Sequence, residues 1–249
     1  GLGVDGKIGK NTSRALLGRP SSTWYKWRGS AESGPLNPVA VERAVELSPE
    51  TGVKESGIYA FEAKESGHRP GVMAWNAHVF RKHLRRQLRN KRQPGGRSTR
   101  FDADGDPATQ RAIDRGWTKL GRGEGGSDSY YGGDAWSNFR DAWDIDREAA
   151  VAGGAWGLYQ VLGRTGLKDY GSPEAFMSAF QSDAASHSMR AFIRWVEENP
   201  TFADNVNSGD PSRLADAVRT YYGAYNPRYT NHVQANIERY ELQKPAAMT

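Results

Sequence analysis

The chain has 249 residues, of which 37% are apolar and 11% aromatic. That is enough to bury the core of one large domain, or of a medium domain beside a small one, and it excludes wholesale disorder. Mean hydropathy is -0.76 with no apolar run of the roughly 20 residues a membrane span needs, a formal charge of +5 favours anionic partners, and the absence of cysteine excludes disulfides and thiolate metal sites.

In chain order, residues 1–18 read as a turn-rich loop entering a short helix, with Asn11, Thr12 and Ser13 as N-caps. Residues 19–37, rich in Pro, Gly and Ser around Trp24, Tyr25 and Trp27, read as a linker or a strap. From 38 to 66 the pattern is helical. Pro38 suits a first turn, and Val41, Ala44, Val45 and Leu47 make an apolar stripe. After a break at Pro49–Gly52, a second helix carries Ile58, Ala60 and Phe61, ending near Gly67 with Pro70 just beyond.

Residues 72–92 read as a further helix that becomes very basic. Residues 93–135 form a long polar stretch with a short helix at 107–118, and loops of that length often lie at binding sites. Helices are predicted at 136–151, 155–163, 172–184, 185–199, 211–223 and 230–241. Few segments alternate with period two, so any sheet is small.

Four segments carry candidate chemistry. In FEAKESG, Glu65 sits at a predicted helix C-terminus, where the dipole disfavours a charged carboxylate. A carboxyl kept protonated near neutral pH is what a glycosidase needs to protonate a leaving oxygen. The plain alternative is an exposed helix-end glutamate, and Glu62, one turn earlier, is a weaker candidate with the same chemistry. In GGAWGLYQVLG, Trp156 and Tyr159 offer ring faces to sugars and Gln160 a donor and an acceptor. An aromatic core helix explains the same residues. In YYGAYNPRY, Tyr225 and Asn226 lie at a turn, where a tyrosine hydroxyl can hold a catalytic carboxyl and an asparagine can bind an acetamido group. The stretch at 130–150 supplies Asp134, Asp141, Asp144 and Asp146. Most of these read as caps and surface charges, with Asp134, Asp144 and Asp146 kept as candidates for a second carboxylate.

The order of these segments resembles goose-type lysozymes and soluble lytic transglycosylases. It is closer still to the N-acetylmuramidase catalytic domain of modular phage endolysins. KESG at 64–67, WNAH at 75–78, YGG at 131–133, IDREAA at 145–150, AWGLYQVLG at 155–163 and AYNPRY at 224–229 carry the likeness over roughly residues 38–241. The resemblance implies a mainly α, lysozyme-like helical domain with a substrate cleft and at most a small β element. It implies Glu65 as the catalytic glutamate, with Trp156, Gly157 and Gln160 in a cleft-lining turn and Tyr225 and Asn226 in a late turn. Where the family pattern shows Glu in Phe-Glu-Arg-His, this chain has Asn76. GVDGKIGKNTSRAL resembles the second half of a peptidoglycan-binding module, so the domain reading is a module remnant at 1–18, a linker at 19–37 and a muramidase domain at 38–249.

The function expected is cleavage of peptidoglycan between N-acetylmuramic acid and N-acetylglucosamine by a phage endolysin. The alternatives are a lytic transglycosylase, a non-catalytic wall-binding or virion protein, and a nucleic-acid binder using the basic run from Arg81 to Arg100. The run has few aromatics for base stacking and no DNA-reading motif, so attraction to the anionic cell envelope is preferred and no nucleic acid is expected. DADGD at 102–106 has Pro107 where a calcium loop needs Gly, and the histidines show no metal-ligand spacing, so neither metal nor cofactor is expected. The expectation is a monomer without a transmembrane segment or visible signal peptide, made in the host cytoplasm and acting on periplasmic or external peptidoglycan.

Overall fold

The computed structural model describes residues 34–91 and 133–247. The reading of 1–18, most of the linker, the helix at 107–118 and the acidic turn at 102–106 lie outside the described residues. What is described is mainly helical with one small sheet, and it divides into two compact units.

Among the described residues, one unit comprises 34–71, 157–161 and 184–247. Its first helix, α1 (Pro38–Thr51), starts at Asn37, whose side chain accepts from the Ala40 N–H at 3.2 Å, with Pro38 in the first turn. Its buried stripe is Ala40, Ala44, Leu47 and Thr51, so Val41 is only half-buried and Val45 faces solvent. The sequence pattern favoured the bulky valines, but the packed face is the one whose alanines allow close approach. Pro49 stays inside the last turn, and Gly52 (φ 68°) ends the helix.

The second helix, α2 (Glu55–Ser66), is buried from Ser56 to Ala63 and forms the centre of this unit. A Cβ on Gly57 would come within 2.5 Å of a Val206 methyl, so only glycine lets α2 lie this close to the neighbouring helix. Around α2 pack α8 (Ala184–Glu197), α9 (Thr201–Asn207), α10 (Pro211–Tyr222) and α11 (Pro227–Ala247). α9 was not expected; it buries Phe202 and Val206, too few positions to show a period.

Among the described residues, the other unit comprises 72–91, 133–156 and 162–183. Strand β1 (Met73–Trp75) pairs antiparallel with β2 (Gly154–Trp156), Met73 lying opposite Trp156, and β3 (Val161–Leu162) completes the sheet. Both three-residue strands fall where the sequence pattern predicts the first residues of helices, at 72–92 and 155–163. β1 is buried throughout and so shows no polar alternation. α3 (Ala77–Lys91) begins at Asn76. α4 (Gly133–Ile145) and α5 (Arg147–Gly153) replace the single helix expected at 136–151, because Asp146 is extended (φ -156°) and its side chain accepts from the Ala149 N–H at 2.9 Å. The short α6 (Gly163–Gly166) and α7 (Pro173–Ser182) follow.

Candidate active site

Glu65 lies at the C-terminal end of α2, one turn after Glu62. The helix stops there because Gly67 adopts a left-handed conformation (φ 58°) and returns its N–H to the Ala63 carbonyl at 3.1 Å. Glu65 is half-buried, and the Tyr229 hydroxyl donates a hydrogen bond to its Oε1. Tyr229 is in turn fixed by the start of α11, where Asn226 Oδ1 accepts the Tyr229 N–H at 3.1 Å and Pro227 opens the helix. The Tyr229 ring lies 5.4 Å from the Tyr222 ring and 6.2 Å from that of Phe61, and Lys64 Nζ stands 4.9 Å from its centroid.

The late turn therefore supplies the tyrosine that the sequence reading anticipated, at a different position. Tyr225 is 69% exposed, and it is Tyr229 that holds the carboxyl. Asn226 acts through its side chain as the cap that aims Tyr229. Reading Asn-Pro as a helix start would have found Tyr229, since the residue three after an N-cap donates its N–H to the cap.

Glu62 is wholly buried, with four polar contacts on its carboxylate. Arg43 approaches with Nε at 3.1 Å from Oε2 and with Nη2 on Oε1, His68 Nδ1 lies 2.9 Å from Oε1, and the Tyr159 hydroxyl donates to Oε2 at 2.9 Å. Burial pushes the Glu62 carboxyl up, but the hydrogen bonds and charges of His68 and Arg43 outweigh it and hold the pKa below the ordinary value. Glu62 is thus an enclosed carboxylate whose partners favour its charged form, the opposite of what a proton donor needs. Burial and the Glu62 charge push the Tyr159 hydroxyl well up, so it remains a donor.

The segment 154–162 is a strand, a turn and a strand rather than a helix. Gly157 (φ 70°) and Gln160 (φ 50°) are both left-handed, and a Cβ on Gly157 would sit 1.6 Å from Ser188 Oγ. Gln160 closes the turn by donating from Nε2 to the Gly157 carbonyl at 2.8 Å. Trp156 is buried among Trp136, Phe139, Phe176 and Phe180, all edge-on to it, and its Nε1–H bonds the Val151 carbonyl at 3.0 Å. Tyr159 stacks on Phe192 at 4.2 Å. At 2% and 0% exposure, Trp156 and Tyr159 offer no open ring face to a sugar. Both residues belong to the core, and Tyr159 serves the site through Glu62.

Of the candidate second carboxylates, Asp144 is exposed on α4, Asp146 caps α5, and the Asp134 side chain lies outside the described residues. Asn76 caps α3, with Oδ1 accepting the Val79 N–H at 3.1 Å. Asparagine suits that position as well as any residue, which gives its presence there a structural reason. Among the described residues no group of three His, Asp or Glu side chains could hold a metal ion, and no helix is long and apolar enough to cross a membrane.

Two glutamates one helical turn apart, one half-buried and bonded by Tyr229 and the other sealed in the core of a mainly helical scaffold, fit the lysozyme-like class of glycosidase. The profile of the N-acetylmuramidase family matches residues 52–241, and the chain belongs to that family, the peptidoglycan-cleaving glycoside hydrolases of lysozyme-like type. Its fold is similar to that in the crystal structure of the Burkholderia AP3 phage endolysin, with a TM-score of 0.57 at 19% identity over 94% of this chain and 79% of that one. A search of curated proteins found no match.

Proposed function

We propose that Glu65 is the general acid that cleaves the bond between N-acetylmuramic acid and N-acetylglucosamine. The observation that carries this reading is the Tyr229–Glu65 hydrogen bond at the end of α2, beside a Glu62 that is closed to ligand. The Glu65 carboxyl gives its proton to the glycosidic oxygen as the bond from that oxygen to the muramic anomeric carbon breaks. The positive charge that develops on the sugar ring is quenched by water, whose proton returns to the Glu65 carboxylate. Tyr229 contributes because a hydrogen bond strengthens when its acceptor becomes charged, so it favours the state in which Glu65 has released its proton.

The biological role proposed is lysis of a bacterial host by a phage endolysin made in the host cytoplasm. Family membership and the fold shared with the AP3 endolysin support it. A second reading, attack by the muramic 6-hydroxyl instead of water, is favoured by one observation: Asn76 and Asp146 are both engaged as helix caps, and that route needs no second carboxylate. Mass spectrometry of the soluble fragments released from purified peptidoglycan separates the two. Reducing muramic ends support hydrolysis, 1,6-anhydromuramic ends support the internal attack, and no release contradicts the proposed cleavage.

A further inference from the structure

We propose that Tyr222 is a sugar-binding platform that takes one pyranose ring of the glycan next to the bond being cut; this rests on the reading of Glu65 as the acid. Among the described residues, two of the large hydrophobic side chains left exposed are Tyr222 (55%) and Tyr225 (69%), both in the segment that leads to Tyr229. An exposed aromatic needs no explanation by itself. Position is what distinguishes Tyr222. Tyr221, its neighbour, turns inward and donates its hydroxyl to the Tyr159 carbonyl, so Tyr222 leaves α10 in a different direction, about 100° around the helix.

The helix then stops at once. Gly223 takes φ 85° and returns its N–H to the Arg219 carbonyl at 2.9 Å, and a Cβ on it would meet nothing within 4 Å. The chain reverses there and enters α11, so that the Tyr222 ring comes to rest 5.4 Å from the Tyr229 ring, tilted by 45°. Tyr229 is the residue whose hydroxyl holds Glu65. An open ring therefore stands one side chain away from the catalytic carboxyl. Its π face is electron-rich and suits the C–H-bearing face of a pyranose, while its hydroxyl end tolerates water.

The test uses the catalytically disabled Glu65→Gln protein as parent and soluble GlcNAc–MurNAc glycan strands stripped of peptide as the probe, titrated by calorimetry. Adding Tyr222→Ala is expected to weaken binding about tenfold, with the melting temperature unchanged, while Tyr222→Trp binds at least as tightly as the parent. In the active protein, Tyr222→Ala should raise KM with kcat within about twofold, the pattern of lost uniform binding. Equal binding by the parent and the Tyr222→Ala double variant overturns the platform and leaves the reading of Glu65 intact. Failure of the parent itself to bind the strands overturns the substrate reading, and the platform with it.

Discussion

Glu62 and Glu65 stand one helical turn apart on α2, and the fold treats them as opposites. Glu62 is sealed at 0% exposure under Arg43, His68 and Tyr159, whereas Glu65 is half-buried and held by Tyr229. Residues at i and i+3 point in directions about 60° apart, enough for one to enter the core while the other stays at its edge. The sealed carboxylate also ties α2 to α1 through Arg43, to the chain just past α2 through His68, and to the 157–160 turn through Tyr159.

Removing the Glu62 charge should therefore cost stability first. Glu62→Gln leaves the Arg43 guanidinium, 11% exposed, without its ion partner, and the expected loss is about 3–5 kcal/mol in urea unfolding at pH 7. Because the folded-state pKa of Glu62 is lowered from 4.5, the unfolded chain binds more protons in the acid range. The stabilisation is full above about 4.5 and is lost as pH falls through the lower folded value. The variant should lack that acid-limb loss. An acid limb as steep as that of the wild type would show that Glu62 does not carry it.

Tyr229→Phe removes one hydroxyl and leaves the ring between Tyr222 and Phe61. A hydrogen bond to a charged group contributes about 1.5–3 kcal/mol, and less to the neutral carboxyl, so kcat should fall about tenfold to a hundredfold with KM nearly unchanged. Steady-state kinetics on soluble glycan strands reads this directly. A change confined to KM would mean that Tyr229 binds sugar instead of supporting Glu65.

His187, 3% exposed on α8, has its pKa pushed down to about 4, first by burial and then by the charge of Arg190. Its folded value lies below the unfolded 6.5, so the unfolded chain again binds more protons between these values. The associated stability is full above 6.5 and drains away as pH falls toward 4. The His187 imidazole carbon-bound protons should show no titration by NMR between pH 7 and about 5. A midpoint near 6.5 would contradict its burial as described.

The place of Glu65 at a helix end was legible in the sequence. A Gly-terminated helix with Pro70 beyond it marked the end of α2, and Ser-Gly after Glu65 placed the carboxyl there. The partners of Glu62 were hidden because they come from 19, 6 and 97 residues away, a proximity only the folded chain creates. The stretch from Gly154 to Leu162 defeated the helical reading because Gly157 and Gln160 both take left-handed conformations, which cut a glycine-rich, aromatic segment into two short strands. Trp156 and Tyr159 looked like sugar platforms because composition reveals a ring and not what covers it. Tyr229 was passed over for Tyr225, although Asn226-Pro227 carried the capping signal that fixes which tyrosine turns inward.

The most direct test of the account compares Glu65→Gln, Glu62→Gln and the wild type in release of soluble fragments from purified peptidoglycan, with folding of each checked by circular dichroism. Glu65→Gln should keep the wild-type spectrum and melting temperature and lose activity by at least about a hundredfold, since an amide has no proton of suitable acidity to give. Glu62→Gln should be less stable yet active at temperatures where it remains folded. Wild-type turnover by Glu65→Gln, or a folded Glu62→Gln protein as inactive as expected for Glu65→Gln, would contradict the assignment of Glu65 as the acid.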